Sequence, residues 1–207
     1  MIVLDIETTG LYPAPGKDKS PDSIVAIGCL DDYGVKIFSA PYRSFSSNPI
    51  QEIEAEILMD FSSWLIMVSE ATFLTYNGAE FDIPFITTKL LQSGTDYSSG
   101  IADQLLSFPH IDLMQYSRFV TGKRLSKDDA CRKLANLYVP RKSEGLWNAR
   151  IYKNPELLTE NDHLEMLQHN ATDLTATARL YNVVKNFQDF KEWVGGDINE
   201  KIGHVSD

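Results

Sequence analysis

Hydrophobic and polar positions in the first forty residues follow the pattern of β-strands. Short apolar runs are separated by turn-forming residues, and each run is too short to be a helix. The tetrad Asp31-Asp32-Tyr33-Gly34 predicts a hairpin between the second and third runs. The segment from Leu11 to Ser23 contains Pro and Gly but no pattern that could bury a face, so it predicts a surface loop. The predicted strands cover 2–4, 23–30 and 34–39.

From residue 50 onward the apolar residues recur at helical spacing. The segment from Ile50 to Val68 has an apolar residue at every third or fourth position, which predicts an amphipathic helix. Strand–helix alternation after an initial hairpin predicts an α/β domain, with a mixed sheet flanked by helices. We expect one domain over 1–207, with a core over 1–187 and a tail over 188–207. The other predicted strands cover 72–76 and 110–113. Four further helices are predicted: one from Phe81 to Leu91, one that follows the strand at 110–113 and runs through Phe119, one that begins at Ser126, and one from Thr159 to Phe187.

Composition and charge narrow the class of protein. Hydrophobic residues make up 43% and charged residues 23% of the chain, as in ordinary globular domains. The net charge of −10 excludes a histone-like nucleic-acid binder, but it is compatible with an enzyme that holds a nucleic-acid end locally. Cys29 and Cys131 lie beside apolar residues and predict buried free thiols. With no basic leader and no long apolar stretch, we expect a cytoplasmic protein that does not enter membranes.

Two acids end the first predicted strand. Asp5 and Glu7 are two residues apart, so their side chains point to the same face of the strand. Adjacent carboxylates repel each other, and a cation between them relieves that repulsion. Oxygen ligands of this kind suit Mg²⁺ or Mn²⁺. Taken alone, the pair indicates either a metal site or a solvated strand end.

Two more acids occupy predicted helices. Asp82 opens a helix, where the helix dipole by itself favours an acid. His169 and Asp173 are four residues apart on the long helix and therefore share one face. They form either an exposed ion pair or, because Asp173 adjoins a predicted buried stripe, part of a site. That stripe comprises Leu164, Leu167, Ala171, Leu174, Ala178 and Tyr181.

Taken in order, these clusters resemble the three motifs of the DEDD superfamily of 3′–5′ exonucleases, whose fold is ribonuclease H-like. The first motif is matched by Asp5-Ile6-Glu7 with Thr8-Thr9-Gly10, and the third by Asp173 with a partner upstream. The second is matched by TYNGAEFDIPFI at 75–86, which is especially similar to the proofreading domain of family-B DNA polymerases. The segments HIDL at 110–113 and LSKDDACRKLANLYVPRKSEG at 125–145 also resemble that domain and stand-alone relatives.

The resemblance implies a free-standing 3′–5′ exonuclease that releases nucleoside monophosphates from single-stranded nucleic acid, with DNA favoured. It implies two divalent ions, Mg²⁺ or Mn²⁺, and an in-line displacement at phosphorus. The expected partners are the 3′ end of single-stranded DNA or RNA and, beyond it, replication or repair proteins. The implied metal ligands are Asp5, Glu7, Asp82 and Asp173, and the implied substrate contacts are Thr8, Leu11, Asn77 and Phe81.

His169 is the point at which the chain departs from the family pattern. The tyrosine subfamily has Tyr four residues before the last Asp, and the histidine subfamily has His five residues before it. Here the position four residues before Asp173 is His169 and the position five before is Gln168. We expect His169 to be the catalytic group that accepts the proton of the attacking water. The chain also has six basic residues that are either phosphate contacts or solvated helix faces: Lys123, Arg124, Arg132, Lys133, Arg141 and Lys142.

Two alternatives to the exonuclease remain at this stage. One is a nucleic-acid-binding or scaffolding module of the same fold with weak catalysis, which the atypical His169 and the acidic composition favour. The other is an endonuclease or resolvase. The order of the three motifs favours the exonuclease over both.

Overall fold

The sheet has five strands in a mixed arrangement. The computed structural model describes residues 1–9, 23–139 and 158–195. Strands β1 to β3 are antiparallel neighbours, and β4 and β5 add parallel to β1 in the spatial order β3-β2-β1-β4-β5. This confirms the predicted α/β class and the mixed sheet. The strands are β1 (Ile2–Thr8), β2 (Ile24–Asp31), β3 (Gly34–Phe38), β4 (Phe73–Thr75) and β5 (His110–Asp112).

Helices cover both faces of the sheet and form a hydrophobic core on each side. One core joins the sheet to α1, α2, α3, α4 and the first part of α7. The other joins it to α5, α6, the rest of α7 and α8. The helices in the described residues are α1 (Tyr42–Ser47), α2 (Ile50–Leu65), α3 (Asp82–Gln92), α4 (Asp96–Ser107), α5 (Leu113–Thr121), α6 (Lys127–Ala135), α7 (Glu160–Val184) and α8 (Gln188–Gly195).

Strand β1 lies at the centre of the sheet, and its alternation of side chains sets the position of the acids. Leu4 and Ile6 pack into the core beside α2 and α3, whereas Val3 packs into the opposite core. Because strand side chains alternate between faces, Asp5 and Glu7 share the face of Val3. Helix α7 packs across β1 on that face. The strand therefore directs both carboxylates toward α7.

Three helices differ from the sequence expectation. Helices α1 and α4 carry too few periodic apolar residues to have been predicted, and they are held mainly by tertiary contacts. Helix α8 lies where a tail was expected from residue 188. Its Phe190 is 4% exposed and packs edge-to-face on Tyr116 with ring centroids 4.8 Å apart. The second core thus includes residues past 187, because Phe190 and Trp193 of the short helix both pack on Tyr116.

The buried face of α7 also differs from the predicted stripe. Leu164 is 51% exposed, whereas Asn170 is completely buried and Asp173 is 7% exposed. The stripe was predicted from apolar residues alone, but part of the buried face is polar because it faces the carboxylates of β1. A capping box between Thr159 and Asp162 begins the helix one residue after the expected start.

Several other expectations can be compared directly. Gly34 follows the two-residue hairpin turn with a φ of 125°, a conformation that favours glycine. Cys29 and Cys131 are buried free thiols, as predicted.

Most of the predicted loop 11–23, together with Leu11, Arg141 and Lys142, lies outside the described residues. Among the helices that are described, none has the length and hydropathy needed to cross a membrane.

Candidate functional site

The carboxyl ends of the parallel strands β1, β4 and β5 meet at one edge of the sheet. Asp5 and Glu7 lie near the end of β1, and the chain after β4 turns to begin α3 at Asp82. Helix α7 brings His169 and Asp173 to the same edge. In open α/β sheets this edge is the usual place for a ligand, because the loops leave the strands there. The three sequence motifs therefore lie side by side in the fold.

Asp82 is attached directly to strand β1. Its carboxylate oxygen Oδ1 accepts a hydrogen bond from the backbone N–H of Ile6, with a distance of 3.0 Å. Asp82 is 5% exposed, and burial together with the charge of Asp5 raises its pKa to about 8. The Lys127 ammonium and the Ile6 N–H oppose that rise. Burial is the larger of the two causes, and the repulsion by Asp5 adds to it.

Lys127 lies between two of the acids, and sequence reasoning did not select it. Its Nζ atom is 2.9 Å from Asp5 Oδ1 and 2.9 Å from Asp173 Oδ2, and all three side chains are largely buried. Burial lowers the pKa of Lys127, but the two carboxylates outweigh burial and raise it above its ordinary value. Lys127 is the first residue of α6, where the helix dipole disfavours a cation. A lysine at this unfavourable position was the feature of the sequence that could have indicated a nearby negative charge.

Asn170 is the second residue that the motifs did not identify. Its Nδ2 donates to Asp5 Oδ2 at 3.1 Å and to the Asp5 carbonyl oxygen at 3.3 Å. A Cβ atom at Gly28 would lie only 1.8 Å from Asn170 Oδ1, so only glycine allows α7 to pack this closely on β2. Asn170 therefore orients the Asp5 carboxylate. Its position between His169 and Asp173 in the sequence was the available hint.

His169 lies next to Glu7. Its Nε2 atom is 3.8 Å from Glu7 Oε1, and its side chain is 22% exposed while that of Glu7 is 10% exposed. The imidazole therefore faces both the carboxylates and solvent. A group in that position can exchange protons with water at the site, because it is reachable from solvent and an imidazole can accept and donate a proton.

The predicted substrate contacts differ in accessibility. Asn77 has a φ of 74° in the turn after β4, and its backbone N–H donates to Asp112 Oδ1 at 2.8 Å. Asp112 also caps α5 by accepting from the N–H of Met114. Phe81 is half-buried beside Phe85. Thr8 is 3% exposed, so its side chain is not offered to a ligand.

The residues at this edge suit hard divalent cations by donor type. In the described part of the chain, no three His, Cys, Asp or Glu side chains are close enough to form a ready metal site. The available donors are carboxylate oxygens, which Mg²⁺ and Mn²⁺ prefer. Asp5 and Asp82 repel each other, and a cation near both carboxylates would oppose that repulsion. We therefore consider that the residues fit such ions, with the Lys127 ammonium now lying between Asp5 and Asp173.

Replacing Lys127 by Met should destabilise the protein in chelator. Asp5 and Asp173 would lose the cation between them, and breaking a buried ion pair costs about 3–5 kcal/mol. For a chain of this size that predicts a melting temperature lower by about 6–20 °C. Mg²⁺ or Mn²⁺ should restore part of the loss, as measured by thermal melting. Lys133→Met, at an exposed position of the same helix, is the matched control and should change little. An unchanged melting temperature for Lys127→Met would show that the ion pair contributes nothing.

Comparisons with known proteins agree with this geometry. The chain matches a family model of the RNase H superfamily over residues 2–185. Among curated proteins, no sequence matches it significantly. Its structure is similar to that of the family B DNA polymerase from the hyperthermophilic archaeon Pyrobaculum calidifontis, with a TM-score of 0.56 and 14% sequence identity. That similarity covers 89% of this chain but 24% of the polymerase, so the chain spans about a quarter of that protein's length. Because the family model covers nearly the whole chain, the protein belongs to the RNase H superfamily.

Proposed function

We propose that the protein is a metal-dependent 3′–5′ exonuclease that releases nucleoside monophosphates from single-stranded nucleic acid. One observation carries the proposal: Asp5, Glu7, Asp82 and Asp173 lie at one edge of an RNase H-like sheet with His169 beside them. The fold implies a nuclease and a nucleic-acid substrate. The 3′–5′ direction follows from the resemblance of the motifs to the DEDD exonucleases. The preference for DNA is supported by the similarity to a DNA polymerase.

The protein's own residues have distinct parts in this proposal. Asp5, Glu7, Asp82 and Asp173 would hold two divalent ions, which supply charge stabilisation at phosphorus and a lower pKa for the attacking water. Nucleases of this superfamily generally use such ions. Asn170 keeps the Asp5 carboxylate in one orientation, and the Ile6 N–H does the same for Asp82. Neutral His169 accepts a proton at Nε2, on the side that faces Glu7.

A 5′-labelled single-stranded oligonucleotide should be shortened step by step from its 3′ end. We expect a descending ladder on a denaturing gel with Mg²⁺ or Mn²⁺. The carboxylates repel a phosphate unless a bound cation offsets their negative charge. Chelator should abolish the ladder. Parallel DNA and RNA substrates measure the preference for DNA. Cleavage that continues undiminished in chelator would contradict the proposal.

Circular single-stranded DNA separates the exonuclease from an endonuclease of the same fold. A circle has no 3′ end, so an exonuclease should leave it intact while it degrades the linear form of the same sequence. The linear form is made by cutting the circle once beforehand, so that the two substrates differ only in having a 3′ end. Linearisation of the closed circle by the protein would favour the endonuclease or resolvase instead.

The ion pair at Lys127 favours a second candidate, a binding module with weak catalysis. The Lys127 ammonium offsets the negative charge of Asp5 and Asp173 without any metal. A protein that only binds nucleic acid could therefore keep these carboxylates. This candidate predicts binding of single strands in chelator but no ladder in either metal. Replication or repair partners and a cytoplasmic location stay predictions.

A further inference from the structure

An exposed arginine spans the turn that leads into the site. Arg124 donates from Nη2 to Asn77 Oδ1 at 2.8 Å, and its Nη1 is 3.4 Å from Glu80 Oε2. The side chains of Arg124 and Glu80 are 62% and 47% exposed. The guanidinium group is therefore positioned on the protein side by Asn77 and open to solvent on the other.

The backbone on both sides of this contact is held by buried groups. The Tyr76 hydroxyl donates to the carbonyl oxygens of Leu125 and Ser126 at 2.9 and 3.1 Å, which joins the two segments. The Asp112 carboxylate accepts from the N–H groups of Asn77 and Ala79. The position of Arg124 therefore follows from a rigid frame, which reduces the entropy lost when it binds a ligand.

Arg124 contacts the turn that leads to Asp82, and it lies close in sequence to another residue of the carboxylate site. It precedes Lys127, whose ammonium contacts Asp5 and Asp173, by three positions along the chain. Glu80 precedes Asp82 by two residues. A strand whose terminal phosphate reaches the carboxylates would therefore pass close to this guanidinium with its next phosphates.

The chemistry of the contact favours exchange of Glu80 for a phosphate. An exposed ion pair contributes only about 0–1 kcal/mol, so separating Arg124 from Glu80 costs little. A phosphodiester presents two oxygens that match the guanidinium fork, and such pairs are stronger than ordinary hydrogen bonds. A bound phosphate would also be repelled by the Glu80 carboxylate. Glu80, which pairs with Arg124 in the free protein, would thus oppose binding of the phosphate.

We propose that Arg124 binds a backbone phosphate of the single strand and that Glu80 competes with this phosphate for the guanidinium. The inference rests on the proposed function, because it takes a single-stranded nucleic acid as the ligand. It goes further by assigning a phosphate site outside the carboxylate cluster, together with the acid that weakens it. Asn77 orients the arginine in both states through its side-chain oxygen.

Binding of a fluorescent single-stranded oligonucleotide to variants tests this assignment. The Asp82→Asn protein serves as background, so that the oligonucleotide stays intact, and a second series with the unaltered site is measured in EDTA. Arg124→Ala should weaken binding about 5–10-fold for every sequence tested and lower the salt slope by about 0.7–1. Glu80→Gln should tighten binding about 2–5-fold, because both the competition and the repulsion disappear. In the Arg124→Ala background the gain from Glu80→Gln should be smaller.

The chain provides a matched control pair. Arg132 and Asp129 form another exposed arginine–acid pair, but both residues belong to the same helix, α6. Arg132→Ala changes the net charge by the same amount as Arg124→Ala, and Asp129→Asn by the same amount as Glu80→Gln. Both control substitutions should alter binding less than 2-fold. Thermal melting checks folding, and exposed substitutions should shift it by no more than about 2 °C.

Each outcome decides a different question. If the parent protein binds no single strand in either series, the proposed function fails and this inference fails with it. If the parent binds but Arg124→Ala has the same affinity and salt slope, only the phosphate site is refuted. Equal losses for Arg124→Ala and Arg132→Ala would show a general charge effect and also refute the site. An equal gain from Glu80→Gln with and without Arg124 would refute the competition.

Discussion

Replacing Asp82 by Asn should reduce nuclease activity by more than about 100-fold while the protein stays folded. Loss of a residue that only supports a metal ligand costs about 10–100-fold, so loss of a proposed ligand should cost more. The fold should persist because the Asn side-chain oxygen can still accept the hydrogen bond from the Ile6 N–H. Activity is measured as the rate of shortening of a 5′-labelled oligonucleotide at saturating Mn²⁺. Melting in chelator measures stability.

The same substitution should change how stability depends on pH. The pKa of Asp82 is about 8 in the folded protein and about 3.9 in an unfolded chain, so the folded state binds the extra proton between these values. Its stabilising effect is complete below about pH 4 and is lost as the pH rises through about 8. Asp82→Asn cannot lose a proton there. In chelator, we therefore expect its melting temperature to rise relative to the parent between pH 5.5 and 8.5.

Two further variants separate the charge of Asp82 from its hydrogen bond. Asp82→Ala leaves the buried Ile6 N–H without its acceptor and should cost about 1–3 kcal/mol in unfolding free energy. Asp96→Asn changes an exposed acid in the first turn of α4 and should affect neither activity nor stability appreciably. Substantial activity in Asp82→Asn together with a large loss of stability in chelator would identify Asp82 as a structural cap.

Removal of the His169 imidazole should lower kcat by about 10²–10⁴-fold, the usual contribution of a positioned acid–base group. Its Nε2 faces Glu7 at 3.8 Å, so His169→Ala takes away the proton acceptor proposed beside the carboxylates. His169→Tyr should retain more activity than His169→Ala, because tyrosine stands at this helical spacing in one subfamily of the exonucleases that the motifs resemble. Metal dependence, measured as activity against Mn²⁺ concentration, should change little in either variant.

The pH profile distinguishes catalysis by His169 from a purely structural effect. A general base must be neutral, so the parent's kcat should fall as the pH drops through the pKa of His169. His169→Tyr should lack that acidic limb, because a phenol titrates near pH 10. Gln168→Ala is the control on the same helix and should keep the parent profile, since Gln168 is exposed. If His169→Ala cleaves as fast as the parent across pH at saturating metal, His169 is not the base.

The order and type of most elements could be predicted from the sequence alone. The strands at Ile2–Thr8 and Ile24–Asp31 and the helix at Ile50–Leu65 are long or strongly periodic, so local pattern was sufficient. The three motifs likewise placed Asp5, Asp82 and Asp173 on a strand, a helix start and a long helix. A short helix such as α8 was out of reach, because its stability comes from the contact of Phe190 with Tyr116.

Only the tertiary structure identified the neighbours of the carboxylates. Lys127 is 122 residues from Asp5 in sequence, and Asn170 is 165 residues from it, yet both contact its carboxylate. No local pattern encodes such pairings, because they depend on how α6 and α7 pack against β1. Gly28 shows the same limit, since its need for glycine arises from Asn170 on another element. The sequence by itself determined which carboxylates belong to the motifs. The packing of distant elements decided which charges and hydrogen bonds surround them, because electrostatic energy depends on distance in space and not along the chain.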